Sequence, residues 1–324
     1  MPTIIDVAKE AGVSFKTVSR VFSGEARVRS DTRDRVLKAA HAIGYVPNAA
    51  ARALRSQSQR RIGLLLDNPS TSYSEAASIG ALLAVQGKGA QLAVLQNIDT
   101  GDLSSLSGAL ICSPLCNDMS LLERLEDAGL PYVRIGPGGR GGPGDRIGID
   151  DRGAAREMTD ALIRLGHRRI GFITGPSQIG VSTEREAGYR DALSKAGLPV
   201  DPSLIAPGDF SYASGLSAAE TLLKLPRRPS AIFAANDEMA SACLAVAYKR
   251  GLRVPDFLSV AGFDNAPVSR VIYPTLSTVR QGTRAIMHAA MAMLEDRLSG
   301  ARGPARDRKH PHEILLREST APPA

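Results

Sequence analysis

The 324-residue sequence has no tryptophan, and aromatic residues make up only 4% of it. Proteins that grip single-stranded nucleic acid stack its bases on aromatic side chains, so this composition argues against that mode. Cysteine is scarce as well. Cys112, Cys116 and Cys243 are an odd number, with neither the spacing of a disulfide framework nor a second Cys or His pair at zinc spacing. A reducing compartment is the expectation. No run approaches the ~20 apolar residues of a membrane span, and Asp6, Lys9 and Glu10 stand where a signal peptide would carry its apolar stretch. A soluble, cytoplasmic protein with no membrane partner is expected. The sequence also holds no Gly-x-x-x-x-Gly-Lys-Ser/Thr, no Gly-x-Ser-x-Gly and no His-Glu-x-x-His, so phosphate-loop, serine-hydrolase and zinc-protease chemistry lack their residues. His310-x-His312 reads as an exposed pair rather than a metal site. No metal, cofactor or catalytic set is expected.

What is present is an uneven charge. Up to Arg61, twelve Lys and Arg stand against five Asp and Glu, so the whole formal net charge of +7 lies there, and the other 263 residues carry 28 of each sign. A basic head on a neutral body is the footprint of a segment that meets a polyanion, nucleic acid first among them. At about twice the common domain length, the chain should divide into two or more domains.

The first 46 residues read as three short helices. Val7, Ala8 and Ala11 fall at helical spacing before Gly12, a natural helix-ending residue, and Val13 fills the turn as a buried residue. Ser14 is placed to cap a second helix carrying Val18, Val21 and Phe22. A third, from about Asp31, sets Val36, Leu37, Ala40 and Ile43 on one face. The first two helices, joined by so short a turn, form a helix-turn-helix. Its second helix projects Phe15, Lys16, Ser19 and Arg20 outward, where arginine pairs with guanine O6 and N7 and lysine reaches a base or a phosphate. Ser14 and Thr17 suit phosphate contacts at the first turn, and Arg29 and Arg33 add sequence-independent ones. Residues 47–61 form an Ala-rich linker, too short to be a stable helix alone and expected to fold only when something holds it.

From Ile62 onward short apolar runs (62–66, 92–95, 109–112, 132–135, 147–149, 170–174, 231–235, 258–263, 276–279 and 313–316) alternate with longer amphipathic segments, including 152–165, 185–196, 214–225, 238–250 and 283–298. This is the pattern of βαβ units and parallel sheets. Nine or ten strands exceed one comfortable core. Two α/β lobes are therefore expected, with a ligand crevice between them. Residues 136–144 read as a Gly/Pro surface loop, and 297–309 as an exposed charged connection.

Residues 6–21, together with Ile43-Gly44-Tyr45-Val46-Pro47-Asn48 and Ala51-Arg52-Ala53-Leu54, closely resemble the lactose/galactose repressor (LacI/GalR) family. The resemblance continues through Arg164-Leu165-Gly166-His167-Arg168-Arg169-Ile170, Arg185-Glu186-Ala187-Gly188-Tyr189, Ala235-Asn236-Asp237-Glu238-Met239-Ala240, Val260-Ala261-Gly262-Phe263-Asp264-Asn265 and Leu276-Ser277-Thr278-Val279-Arg280-Gln281. It implies a small all-α helix-turn-helix head (1–46), a hinge helix (47–61) and a body like a periplasmic binding protein (62–324). Lobe 1 would span about 62–152 plus 283–318, and lobe 2 about 153–282. The implied function is that of a transcriptional repressor, a homodimer on a palindromic double-stranded operator, released by a small, sugar-like effector. Tyr45 and Asn48 would then join the DNA contacts, and Leu54 would be the wedge that enters the minor groove. In the cleft the family's effector-binding arginine falls on Arg185, its aromatic wall on Phe210, its amide on Asn236 and its carboxylate on Asp264, with Asp237 and Gln281 as further candidates. Such a set suits vicinal hydroxyls and sugar C–H faces.

Three places depart from the family pattern. After the first strand stands Asp67-Asn68-Pro69-Ser70-Thr71-Ser72-Tyr73, which leaves either Tyr73 or Asn68 to line the cleft. Only about thirteen residues (96–108), rich in Ser, Asp and Gly, join the second and third strands, so a shortened or missing crossover helix is expected. Arg29 stands where the family commonly has serine. Two rival readings remain open at this point, a cytoplasmic sugar-binding protein and an α/β enzyme, each with an accessory DNA-binding head.

Overall fold

The computed structural model describes residues 4–14, 17–18, 21, 30–43, 60–96, 103–137 and 142–324, and the chain forms two compact units, Met1–Gln59 and Arg60–Ala324. In the first unit, helix α1 (Ile4–Ala11) stops at Gly12, whose φ of +62° is the left-handed conformation that favours glycine. The N–H groups of Gly12 and Val13 return to the carbonyls of Lys9 and Ala8, closing the turn. Ser14 then caps the next helix: its Oγ accepts from the Thr17 N–H at 3.1 Å, and Thr17, Val18 and Val21 are helical. Val7, Ala8, Ala11, Val18 and Val21 pack with Val36, Ala39 and Ala40 of α2 (Ser30–Ala42) in one small core, against which the partly buried Val13 and Ile43 rest. Leu37, expected inside, is 46% exposed, because the α2 stripe that faces the core is only as wide as Val36, Ala39 and Ala40.

The second unit holds two six-stranded sheets. The first is built from β1 (Arg60–Leu65), β2 (Ala90–Leu95), β3 (Gly108–Cys112), β4 (Tyr132–Ile135), β5 (Asp145–Gly148) and β11 (Asp307–Lys309). All its pairs are parallel, in the order β11-β5-β4-β3-β1-β2. The second contains β6 (Ile170–Ile173), β7 (Ile205–Ala206), β8 (Ala231–Ala234), β9 (Ser259–Asp264), β10 (Ser277–Arg280) and β12 (Glu313–Leu315). Its order is β12-β10-β9-β8-β6-β7, parallel except for the antiparallel edge strand β12. Helices α3 (Thr71–Val85), α4 (Met119–Asp127) and α10 (Thr283–Leu298) serve the first sheet. The second is flanked by α5 (Asp151–Arg164), α6 (Gly180–Lys195), α7 (Tyr212–Leu223), α8 (Asp237–Lys249) and the short α9 (Val268–Val271). The central strands are buried on both faces, as their near-continuous apolar runs require.

Sheet membership shows that the chain passes between the lobes three times, near residues 149–150, 281–282 and 310–312. This corrects the expected assignment of 283–318 to the first lobe: Glu313–Leu315 pairs with β10 of the second sheet. The 297–309 segment is not simply exposed either. Arg297 and Arg306 both hydrogen-bond the fully buried carboxylate of Asp145, and Asp307–Lys309 adds the edge strand beside β5. In the short crossover, Leu103, which is helical, and Leu106 are buried against Leu65, Ala109 and Ile111. Each such side chain contributes roughly 1.5–3 kcal/mol of burial. Among the described residues no helix is long and apolar enough to cross a membrane.

Candidate functional site

The carboxyl ends of strands from both sheets converge on a small cavity between the lobes, the place where open α/β sheets bind ligands. Arg185 is its centre. Helix α6 lies close against α5 because Gly188 has no side chain: a Cβ there would fall 2.2 Å from the Arg152 carbonyl. That approach carries the Arg185 Nε to 2.9 Å from Oδ1 of Asp151, in the first turn of α5. The same guanidinium donates to the Ala235 carbonyl at 2.7 Å, stands 3.6 Å from Oδ1 of Asp264 and lies 3.6 Å above the Phe263 ring.

Asp264 closes β9 at φ 113°, a strained backbone for a residue with a side chain, and accepts a hydrogen bond from Gln281. Burial pushes its pKa up to about 7, against the pull of Arg185 and Gln281. Burial raises the pKa of Asp151 too, again opposed by Arg185. Phe210, at φ 71°, reaches over Gly175, where any side chain would strike its ring and the Ser182 Oγ. Asn236 caps α8 through its Oδ1 and donates its Nδ2 to the Phe210 carbonyl, so the amide joins the aromatic wall to the helix start.

Arg185, Phe210, Asn236, Asp264, Gln281 and Tyr73 all line the one cavity. Asn68 lines it as well, but its side chain is held in a turn, donating to the Ser113 carbonyl and accepting from the Ser70 N–H. Asp237 is not part of the wall. Buried behind it, Asp237 takes the Thr278 hydroxyl at 2.6 Å and the Ala266 N–H at 2.7 Å, and so fixes the loop that presents Asp264. Sequence reasoning missed Asp151, whose place in a helix's first turn looks like an ordinary answer to the helix dipole. Ser113 also escaped notice. Its buried Oγ has no hydrogen-bond partner among the described residues, which is what a hydroxyl-rich ligand would supply. Ile135, Ile149, Val181 and Ile286 complete the apolar part of the wall. Opposite lobes are also linked at the rim, where the Ser72 N–H donates to Glu238 at 2.7 Å.

In the first unit, Ser14 and Thr17 sit at the start of the second helix with their hydroxyls 2.9 Å apart, and Arg33 lies on α2. Phe15, Lys16, Ser19, Arg20, Arg29, Tyr45, Asn48 and Leu54 lie outside the described residues.

Comparisons with known proteins agree with this division. Residues 3–48 match the family of bacterial regulatory proteins, lacI family, and residues 159–320 match the periplasmic binding protein-like domain. The chain is 35% identical over 317 residues to the HTH-type transcriptional regulator CelR of Thermobifida fusca, covering 92% of each chain. It is 33% identical over 330 residues to catabolite control protein A of Priestia megaterium, covering 98% of this chain and 99% of that protein. Among solved structures, a CelR–cellobiose complex superposes with a TM-score of 0.73 at 32% identity, over 98% of this chain and 100% of the other. The lac repressor dimer bound to operator and the anti-inducer ONPF gives 0.81 at 25% identity, over 99% of both chains.

Proposed function

Because this chain belongs to the LacI family of bacterial transcriptional regulators, we propose that it is a cytoplasmic repressor, a homodimer whose heads read a palindromic operator and whose cleft takes a carbohydrate effector. The convergence of Arg185, Asp264, Asn236, Phe210, Gln281 and Tyr73 on one cavity between the lobes carries this reading. Asp264 and Gln281 offer acceptor and donor atoms to adjacent hydroxyls, while Phe210 and the isoleucines receive C–H faces. In the head, Arg20 and Lys16 read base edges, and Ser14, Phe15, Thr17, Ser19, Arg29, Arg33, Tyr45 and Asn48 hold the phosphates and the groove. Leu54 enters the minor groove at the operator centre. An effector that fixes the angle between the lobes moves the start of β1, which follows the hinge directly, and so couples cleft to operator without contact between the sites.

Catalytic turnover is not part of this proposal. The two carboxylates that a glycosidase would need on either side of a scissile bond here flank a single guanidinium, and among the described residues no histidine, lysine or cysteine lines the cavity. The experiment is a fluorescence-anisotropy titration on DNA flanking the gene, with neutral sugars added in turn. Arg185→Ala and Asp264→Ala should keep operator affinity within about threefold of the wild type and lose the sugar response, a loss of roughly 2–5 kcal/mol at a buried charged contact. Normal sugar responses in both variants would remove the cleft from the mechanism.

A further inference from the structure

One face of the first sheet carries a charge that the protein leaves unbalanced. Strand register sets Leu65, Ile111, Arg134, Arg146 and Asp307 side by side across β1, β3, β4, β5 and β11. Neighbours in register share a face, and Leu65 and Ile111 pack with the leucines of α4, so both arginines lie on that face too. Arg134 is 5% exposed and Arg146 7%. Arg146 is held, giving Nη1 to the Gly136 carbonyl and Nη2 to Asp307. Arg134 is not: its Nε is sealed from solvent without a hydrogen-bond partner, and among the described residues its guanidinium enters no ion pair. The nearby acids are already engaged. Asp307, 64% exposed at the sheet edge, serves Arg146, Asp145 is shared by Arg297 and Arg306, and Glu126 accepts from the Tyr132 hydroxyl. Burial pushes the Cys116 thiol up to about 11 against the pull of Arg134 and Arg146, so it stays neutral and supplies no counter-charge. Residues 136–144, which lead from β4 to β5, contain no acid.

We propose that Arg134 and Arg146 form a binding site for a small oxyanion of the phosphate class, on the α4 face of the first sheet and separate from the effector cavity. An unpaired cation buried in protein is costly, and a guanidinium fork is shaped to receive two oxygens of one anion. One anion shared by the two neighbouring arginines restores the balance that Asp307 alone cannot. The cover at Gly142 is bare backbone: a Cβ there would strike Arg134 Nη1, so at that point no side chain bars the approach. The pair lies directly behind the cleft, because Gly136, whose carbonyl Arg146 holds at 2.9 Å, lines the effector cavity. The site stands whatever effector fills that cavity.

The test is calorimetric melting of the full chain in inorganic phosphate against chloride at equal ionic strength, with sulfate and glycerol 3-phosphate as further probes. The midpoint should rise by about 2–4 °C in phosphate, the gain of a site held at about tenfold its dissociation constant. Arg134→Met keeps an unbranched apolar stem and removes the charge. It should melt no lower than the wild type in chloride, since it deletes an uncompensated buried cation, and should lose most of the phosphate shift. Arg134→Lys keeps the charge without the fork and should retain about half of the shift, which decides the matter if the Met variant does not fold. Stabilisation by phosphate and sulfate alone identifies a free oxyanion as the occupant, and stabilisation by glycerol 3-phosphate as well identifies the phosphoryl group of a metabolite; either result upholds the site. A wild-type midpoint that ignores all three anions overturns the proposal. So does a variant at Arg134 that keeps the full shift, because the anion is then bound elsewhere, as on the basic head.

Discussion

The two lobes share a sheet order and differ in how each holds the final segment of the chain. In the first, the work is ionic: Asp145, its side chain fully buried, accepts from Arg297 and Arg306, and Arg146 meets Asp307 at 2.5 Å to bring β11 alongside β5. In the second lobe the charged side chains of the final segment bond mainly neutral partners: Arg317 donates to the Leu276 carbonyl and to Asn265, and Glu318 accepts from the Thr275 N–H and hydroxyl. His167 lies between the Ser230 hydroxyl at 2.8 Å and the Ala321 carbonyl at 2.9 Å, and Ser259, Ser277 and Ser319 stitch residues 317–321 to β9 and β10. A carbonyl can only accept, so His167 carries its proton on Nε2 and receives the Ser230 hydroxyl at Nδ1. The comparison teaches that one architecture tolerates two chemistries at equivalent edges. Charged anchoring gives large individual energies, and hydroxyl anchoring spreads smaller ones over many bonds.

The sharpest way to break the comparison is Asp145→Ala. It leaves two guanidiniums without their shared acceptor and should cost about 3–5 kcal/mol, read as a fall in the denaturation midpoint. Removing a single hydroxyl from the second lobe should cost far less, and equal losses would erase the distinction.

Next in size is a difference in pH response. Burial lowers the His167 pKa, with the Ala321 carbonyl opposing it, so the folded imidazole takes a proton less readily than the unfolded one. Its contribution to stability is therefore intact above about pH 6.5 and lost as pH falls below that value. For Asp145, burial alone would raise the pKa, but hydrogen bonds from Arg297 and Arg306 outweigh it and hold the carboxyl below its ordinary value. Its contribution persists down to about pH 4 and is lost only beneath it. Hydrogen exchange at pH 7 and pH 5, corrected for intrinsic rates, should show residues 313–321 loosening while 304–309 stay protected. Parallel loosening of both segments would contradict this order.

The smallest effect belongs to the surface link between β10 and β12. Arg280 and Glu313 are about half exposed, so Glu313→Ala should change stability by less than about 1 kcal/mol and should do so less at high salt. A larger loss would mean that the antiparallel edge depends on that pair rather than on its backbone ladder.

Much of the body was legible because its long elements repeat their period. Residues 132–135 and 283–298 coincide with β4 and α10, and most other strands lie within two residues of the apolar runs that announced them. Helix α6 starts five residues earlier than its apolar pattern, since Gly180, Val181, Ser182 and Thr183 are weak helix formers and Ile179 supplies no side-chain cap. That extra turn carries Val181 into the cavity wall. Strands β7 and β11, of two and three residues, carry no readable period.

The sequence by itself determined the helix-turn-helix, through Gly12 and the Ser14 cap, and the alternation of strand and helix that makes two parallel sheets. The resemblance to the LacI/GalR family also named residues of the cavity wall, among them Arg185, Asn236 and Asp264, because the motifs that carry it are local runs of sequence. Only the tertiary structure decided that Asp151 holds Arg185 from another helix, that Asp237 props the loop from behind, and that the chain returns a third time to finish the second sheet. Those facts depend on pairs of residues separated by 29 to 37 positions, brought together by packing that no local period encodes.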